Sequence, residues 1–228
     1  LHSFPTRRSS DLREAYKANP NTIVVLVAGS SMAIGWMDQH IPAIIDAWYP
    51  GEQGGTAIAE VLFGDYNPAG RLPLTFYNSI EDLPDFDDYN VKNNRTYMYF
   101  EGKPLYAFGY GLSYTKFDYR NLNIKQDTQN VTLNFSIKNS GKYNGDEVAQ
   151  VYVKFPDQGI KTPLKQLKGF KRVHIKKGAT EQISIEIPKE ELRLWDDQKK
   201  QFYTPSGTYH FMVGKSSDNI CLQKTAEL

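Results

Sequence analysis

The sequence predicts two folded units of different class, an α/β unit over residues 13–115 followed by an all-β unit over residues 116–228. Three observations carry that expectation. A continuous β-branched run, Thr22 to Ala28, stops at Gly29, the pattern of a strand buried on both faces of a parallel sheet. From Val131 onward apolar and polar residues alternate, and turn residues recur at regular intervals. The charge balance also changes sign, from 8 Lys/Arg against 13 Asp/Glu in residues 1–115 to 19 against 13 in residues 116–228.

The elements follow in chain order. Residues 1–12 (LHSFPTRRSSDL) show neither helix nor strand period and no apolar stretch of the roughly 7–15 residues that a secretory leader needs. They read as a non-native leader outside the fold, with any signal sequence or upstream domain missing. After the run at Thr22 to Ala28, the stretch Ile41 to Tyr49 is open between a short helix and a strand, because Pro42 and the pair Trp48-Tyr49 pull in different directions. Thr56 to Phe63 places Ile58, Val61 and Leu62 at helical spacing, and Gly64 supplies the stop. Residues 65–115 are dense in turn signals, and a loop of that length wraps other structure or carries function.

In the second half Val131, Leu133, Phe135 and Ile137 share one strand face. Further strands are expected at Glu147 to Phe155, Gln166 to Ile175, Gln182 to Ile187, Gln201 to Thr204 and Thr208 to Gly214. Such a succession without a strong helix predicts an antiparallel β-sandwich of the immunoglobulin or fibronectin III kind.

Composition narrows the function. The chain is 40% hydrophobic and 13% aromatic, enough to bury a core, which excludes disorder as its main state. A net charge of +1 argues against nucleic acid or an anionic membrane as partner. The single Cys221 allows no internal disulfide, and no Cys/His spacing suggests zinc. No apolar run reaches the roughly 18–20 residues of a membrane span.

The string Ala47 to Phe76 (AWYPGEQGGTAIAEVLFGDYNPAGRLPLTF) resembles the signature of the C-terminal α/β-sandwich domain of glycoside hydrolase family 3. Pro104 to Thr115 (PLYAFGYGLSYT) is similar to the stretch leading out of that domain, and Gly145 to Val213 looks like the family's terminal fibronectin type III-like domain. The resemblance implies a retaining, exo-acting β-glycosidase of β-glucosidase or β-xylosidase type, active in carbohydrate catabolism on β-linked oligosaccharides or aryl glycosides, with no cofactor. Retention needs two carboxyl groups about 5–5.5 Å apart. In the family the nucleophilic Asp lies on an N-terminal barrel and the acid/base upstream of the strand that resembles Thr22 to Ala28. The resemblance therefore implies no catalytic residue in this chain and no hydrolysis by the chain alone. Relatives of this kind work in the periplasm or outside the cell, and some in the cytoplasm.

Three residues are expected at a substrate rim. Glu52 lies in the glycine-flanked loop Tyr49 to Gly55, where it either favours the start of the following helix or faces the sugar. Arg95 and Tyr97, in Asn94-Arg-Thr-Tyr-Met-Tyr-Phe, resemble a segment of the xylosidase-like branch and tilt the substrate toward xylosides; loop packing is the competing role. Asp85, Asp87 and Asp88 lack the spacing of a calcium loop and read as a solvated turn. The loop at Glu52 lacks the lysine of a phosphate cradle, Ser30-Ser31 lacks a nucleophile elbow, and the histidines have no ligand spacing. Asn94, Asn130 and Asn134 begin glycosylation triplets short enough to arise by chance.

Lys161, Lys165, Lys168, Lys171, Arg172, Lys176 and Lys177 form a basic patch that protects a strand edge, or meets an acidic surface. Tyr106, Phe108, Tyr110 and Tyr114 are expected to dock the two units, because exposed ion pairs are worth only about 0–1 kcal/mol each. An open hydrophobic edge beside Thr22 to Ala28 should leave the first unit less stable than the second. Rival functions are a carbohydrate-binding module and a structural β-sandwich.

Overall fold

The computed structural model describes residues 6–228, with side chains from Ser10 onward. Its first unit begins with helix α1 (Thr6–Ala18), followed by strand β1 (Ile23–Leu26), helix α2 (Gly35–His40), strand β2 (Ala43–Asp46) and helix α3 (Gly54–Phe63). Strands β1 and β2 pair in parallel, Ile23 opposite Ala43 through Leu26 opposite Asp46, which settles the ambiguous stretch as a strand. Helix α3 ends where its glycine requires: Gly64 takes a φ of 85° and donates its N–H to Val61.

Two expectations for this unit need correction. Residues 6–12 belong to α1, whose Leu12 and Tyr16, one helical turn apart, pack against Leu26, Ile34, Met37 and Ile41. The helix is held by that tertiary contact rather than by a visible period; residues 1–5 lie outside the described residues. The strand at Thr22 to Ala28 is also not buried on both faces. It has one partner, and Ile23 and Val27 are 50% and 59% exposed.

The segment from Asp65 to Thr115 contains a short 3-10 turn at Ile80–Asp82 and helix α4 (Thr96–Tyr99). An isolated bridge between Phe76 and Tyr106 closes it on itself. The segment then runs across the second unit.

That unit is a β-sandwich. Strands β3 (Phe117–Gln126), β4 (Asn130–Asn139) and β7 (Thr180–Pro188) form one sheet, in the order β3-β4-β7. Strands β5 (Gly145–Lys154), β6 (Gln166–Ile175), β10 (Thr208–Gly214) and β11 (Ile220–Glu227) form the other, in the order β11-β10-β5-β6. A separate hairpin pairs β8 (Leu194–Asp196) with β9 (Gln201–Tyr203). The core between the sheets holds Val131, Leu133, Phe135, Ile137, Val151, Ile187 and Phe211, all but sealed from solvent. β3, β8 and β11 lie outside the strands expected from alternation. In β3 the parity slips: Asn121 has a φ of 62° and the register with β4 shifts between Arg120 and Asn123. Phe117 and Tyr119 before the bulge, and Leu122 and Ile124 after it, therefore face the same core from positions of opposite parity.

β5 is covered on both faces. Ala149, Val151 and Val153 point into the core, while Gln150 and Tyr152, on the opposite face, are buried beneath the segment from the first unit. The four-stranded sheet has no wet outer face along its central strand.

Candidate functional site

In open α/β sheets ligands gather beyond the carboxyl ends of the strands. Here those ends are Val27 to Ser31 after β1 and Ala47 to Gln53 after β2. Trp48 adopts a φ of 52° and stands edge-on to Phe76, at 6.5 Å between ring centres. Tyr49 lies across Gly29, where a Cβ would come within 2.4 Å of the tyrosine ring and would push that exposed ring aside. The Asp46 carboxylate accepts the Trp48 N–H at 3.3 Å, yet burial outweighs that bond and raises its pKa above the ordinary carboxylate range.

Glu52 sits on this edge, exposed to solvent, and no described residue bonds its carboxylate. It does not cap α3, whose N-cap residue is Gln53 and which has no side-chain cap. Glu52 stands two residues before the first helical residue of α3 and makes no hydrogen bond to it.

Arg95 and Tyr97 are engaged inside the protein. Arg95 Nη2 donates to the carbonyl oxygens of Asp85, at 2.9 Å, and of Asp88, so it gathers the acidic turn from behind. The Asp88 carboxylate accepts from the Asn93 side chain and the Asn90 N–H, and these bonds hold its pKa below the usual carboxylate range. Phe86 and Tyr89, on the outside of the same turn, are 90% and 82% exposed. Tyr97 stacks on Phe108 with ring centres 4.3 Å apart, meets Tyr152 edge-on, and accepts the Leu167 N–H at 3.0 Å. Its hydroxyl pKa rises because the ring is buried. Glu52 is thus open while Arg95 and Tyr97 brace the loop against the sandwich. Among the described residues no group of three His, Cys, Asp or Glu side chains is gathered as a metal would need.

The seam between the units holds groups that sequence reasoning missed. Arg71 reaches Glu147 of β5 at 3.0 Å, with 9% and 2% of their side chains exposed. Glu147 sits in the inward row of β5 with Ala149 and Val151, so a lone carboxylate in an apolar alternation was the available signal. Nothing near Arg71 marks it as the partner, 76 residues away. Tyr119 lies beside the pair, and burial together with the Glu147 carboxylate raises its hydroxyl pKa. Gln150 Nε2 donates to the carbonyl oxygen of Gly109 at 3.1 Å and to that of Lys215 at 2.6 Å, and its Oε1 accepts from Tyr152. Asn67 donates to the Asn144 carbonyl and accepts from Ser113 and the Tyr114 N–H. Arg172 bridges Asp146 and the Tyr66 hydroxyl, both at 2.7 Å, and His174 meets the other oxygen of Asp146.

The docking is therefore more polar than the aromatic contact expected from sequence. Of the four named aromatics, Phe108 reaches the sandwich through its carbonyl oxygen, which accepts the Ser217 N–H at 2.9 Å, while its ring backs Tyr97; Tyr114 instead donates its hydroxyl to Val61 of α3.

The profile described as "Glycosyl hydrolase family 3 C-terminal domain" matches residues 3–114, and that described as "Fibronectin type III-like domain" matches residues 147–217. The chain belongs to glycoside hydrolase family 3. It is 41% identical to a xylan 1,4-β-xylosidase of Xylanibacter ruminicola, over 97% of this chain and 26% of that protein. It is 37% identical to a periplasmic β-glucosidase of Salmonella typhimurium, over 92% of this chain and 29% of that protein. Among solved structures, β-glucosidase from Kluyveromyces marxianus in complex with glucose superposes with a TM-score of 0.91 at 31% identity, covering 99% of this chain and 29% of that one. This family 3 chain thus spans between a quarter and a third of the length of these relatives and corresponds to their C-terminal part. No helix among the described residues is long and apolar enough to cross a membrane.

Proposed function

We propose that this chain is the C-terminal part of a retaining exo-β-glycosidase in carbohydrate catabolism, and that its work there is to brace the catalytic domains rather than to cleave. The observation that carries this reading is the buried seam. Arg71–Glu147, Gln150 and Tyr97 join the family 3 domain to the sandwich through side chains that are buried or partly buried at the seam. In that role the two units hold the carboxyl-end loops, with Tyr49 and Glu52, at a fixed angle to the domain that faces them. The chain by itself is inactive: retention requires two carboxyl groups about 5–5.5 Å apart in one cleft. Asp46 is pushed toward the protonated form a general acid needs, but only burial and the Trp48 N–H act on it, and no second carboxylate lies close enough to shift it.

The substrate is a β-xyloside or β-glucoside. The segment Arg95 to Phe100 and the likeness to a named xylosidase favour the xyloside. Glu52 is the rim residue open to solvent, with Arg95 and Tyr97 setting the loop behind the rim. The units divide near residue 115, and the enzyme works in the periplasm or outside the cell, a reading supported by a relative named periplasmic.

The test is turnover of aryl β-xyloside and aryl β-glucoside by the 228-residue chain and by the same chain joined to its upstream coding sequence. Activity only in the longer protein, with the xyloside preferred, is expected. Turnover by the 228 residues alone, lost on Glu52→Gln, would overturn the reading.

A further inference from the structure

The turn between β10 and β11 and the segment leaving the first unit enclose an open cleft of about 370 Å³, with Lys103, Tyr106 and Tyr110 on one side and Asp218, Asn219 and Ile220 on the other. Neither unit makes it alone. Its walls are fixed by bonds across the seam: Ser217 donates its N–H to the Phe108 carbonyl at 2.9 Å, Lys165 donates to the Ser217 carbonyl, and Gln150 ties Gly109 to Lys215. The Ser216 hydroxyl accepts the N–H groups of Asp218 and Asn219, which shapes the turn from within.

The rings of Tyr106 and Tyr110 stack at 5.0 Å and 22°, and the Tyr106 hydroxyl donates to Asp38 at 2.6 Å, so the aromatic wall is immobilised before any ligand arrives. Several groups facing the cleft are uncommitted. The Tyr110 hydroxyl, the Asn219 side-chain amide nitrogen and the Lys103 ammonium have no hydrogen-bond partner among the described residues. The Asp218 carboxylate is half exposed and meets only Lys165, at 3.7 Å.

A ligand complementary to these walls needs an apolar ring face for the tyrosines and Ile220, and alternating donors and acceptors around its edge. A phosphate or other strong anion would find Lys103 but would confront the Asp218 carboxylate across the cleft. A sugar ring, with hydroxyls that both donate and accept, meets every requirement.

We propose that this cleft is a binding subsite for one pyranose unit of a β-linked oligosaccharide, formed where the two units meet. The choice of β linkage rests on the function proposed above; the sugar class rests on the cleft.

The test is a titration of the full 228-residue chain, with amide signals followed by NMR, using xylotriose, cellotriose and maltotriose in turn, each up to about 50 mM. Xylotriose or cellotriose is expected to move the signals of Lys103, Tyr110 and Asn219 saturably. Asn219→Ala, on an exposed turn whose structural bonds are made by the backbone, should weaken binding about fivefold, and Tyr110→Phe, which keeps the ring and the fold, by about two- to threefold. Silence with all three sugars would overturn the subsite and leave the bracing function standing. Saturable shifts with maltotriose alone would overturn the β-linked assignment. Shifts that both variants leave unchanged would place the sugar elsewhere and overturn the site. Binding of xylotriose here, together with a longer protein that cleaves no β-glycoside, would uphold the cleft while the function proposed above fails.

Discussion

The two units of this chain are held together by different means. Eighteen buried residues form one core in the sandwich, whereas in the first unit burial is split between a cluster of four, Leu26, Ile34, Met37 and Ile41, and scattered residues of the 65–115 segment such as Phe76, Tyr77, Tyr99 and Phe100. The sandwich closes on its own alternating strands; the first unit has a two-stranded parallel sheet, an exposed Val27 and an exposed Phe63 at the end of α3. A parallel pair needs cover on both faces, and within this chain the cover is incomplete. Two segments of one polypeptide can thus share a seam and still differ in autonomy, because burial per residue decides stability and the seam transmits it.

That contrast can be broken most sharply at the sandwich core. Leu133→Ala should cost about 2–5 kcal/mol and shift the main denaturation midpoint, because the side chain is sealed between sheets. Met37→Ala should leave that midpoint nearly in place while hastening amide exchange in β1 and β2. If both variants move the same transition equally, the units melt as one and the comparison fails.

The seam comes next. Glu147→Ala leaves Arg71 buried without its counter-charge and should cost about 3–5 kcal/mol, whereas the double change Arg71→Met with Glu147→Leu should recover most of the loss. A denaturation series on the two variants beside the natural chain measures this; a double variant as weak as the single one would show that the pair sets docking rather than merely filling it. Gly109→Ala should follow at about 1–3 kcal/mol, since its φ is 81° and the new Cβ would lie 2.0 Å from Gln150 Oε1. Thermal melts of Gly109→Ala alone and combined with Gln150→Ala would separate backbone strain from the clash.

The smallest effect is a pH dependence. Burial works to raise the pKa of Asp146, but bonds from His174 and Arg172 outweigh it and hold the group below its ordinary value. A lowered folded pKa contributes stability that is full above the unfolded value and is lost as pH falls below about 4. Arg172 and His174 are more than half exposed, so the contribution stays below about 1 kcal/mol. Melting curves at pH 5 and pH 3 should show an acid loss in the natural chain that Asp146→Asn makes smaller, the remainder coming from Asp88, Asp127 and Asp196, whose pKa values are also lowered.

Legibility followed the same division. The rows Val131 to Ile137 and Thr208 to Gly214 announce their strands because one face is buried along their whole length. β3 hides behind the bulge at Asn121, and in β11 Lys224 interrupts the apolar row of Ile220, Leu222 and Ala226. Helix α1 carries its signal in two residues, Leu12 and Tyr16, too few for a period. At the site, Arg95 and Tyr97 stood out by type, but sequence could not say that one grips carbonyl oxygens and the other underlies the seam. Asp38 and Tyr106, 68 residues apart, carry no mark of their bond.

The sequence alone determined the two fold classes, the helix stop at Gly64, the facing of most sandwich strands and the family, because each is written in local period, turn chemistry or contiguous motif. Tertiary structure decided which charges are buried, which face of β5 the first unit covers, and where Lys103, Tyr110 and Asn219 meet. Those outcomes depend on pairs separated by dozens of residues, whose encounter is set by docking geometry and desolvation rather than by any spacing along the chain.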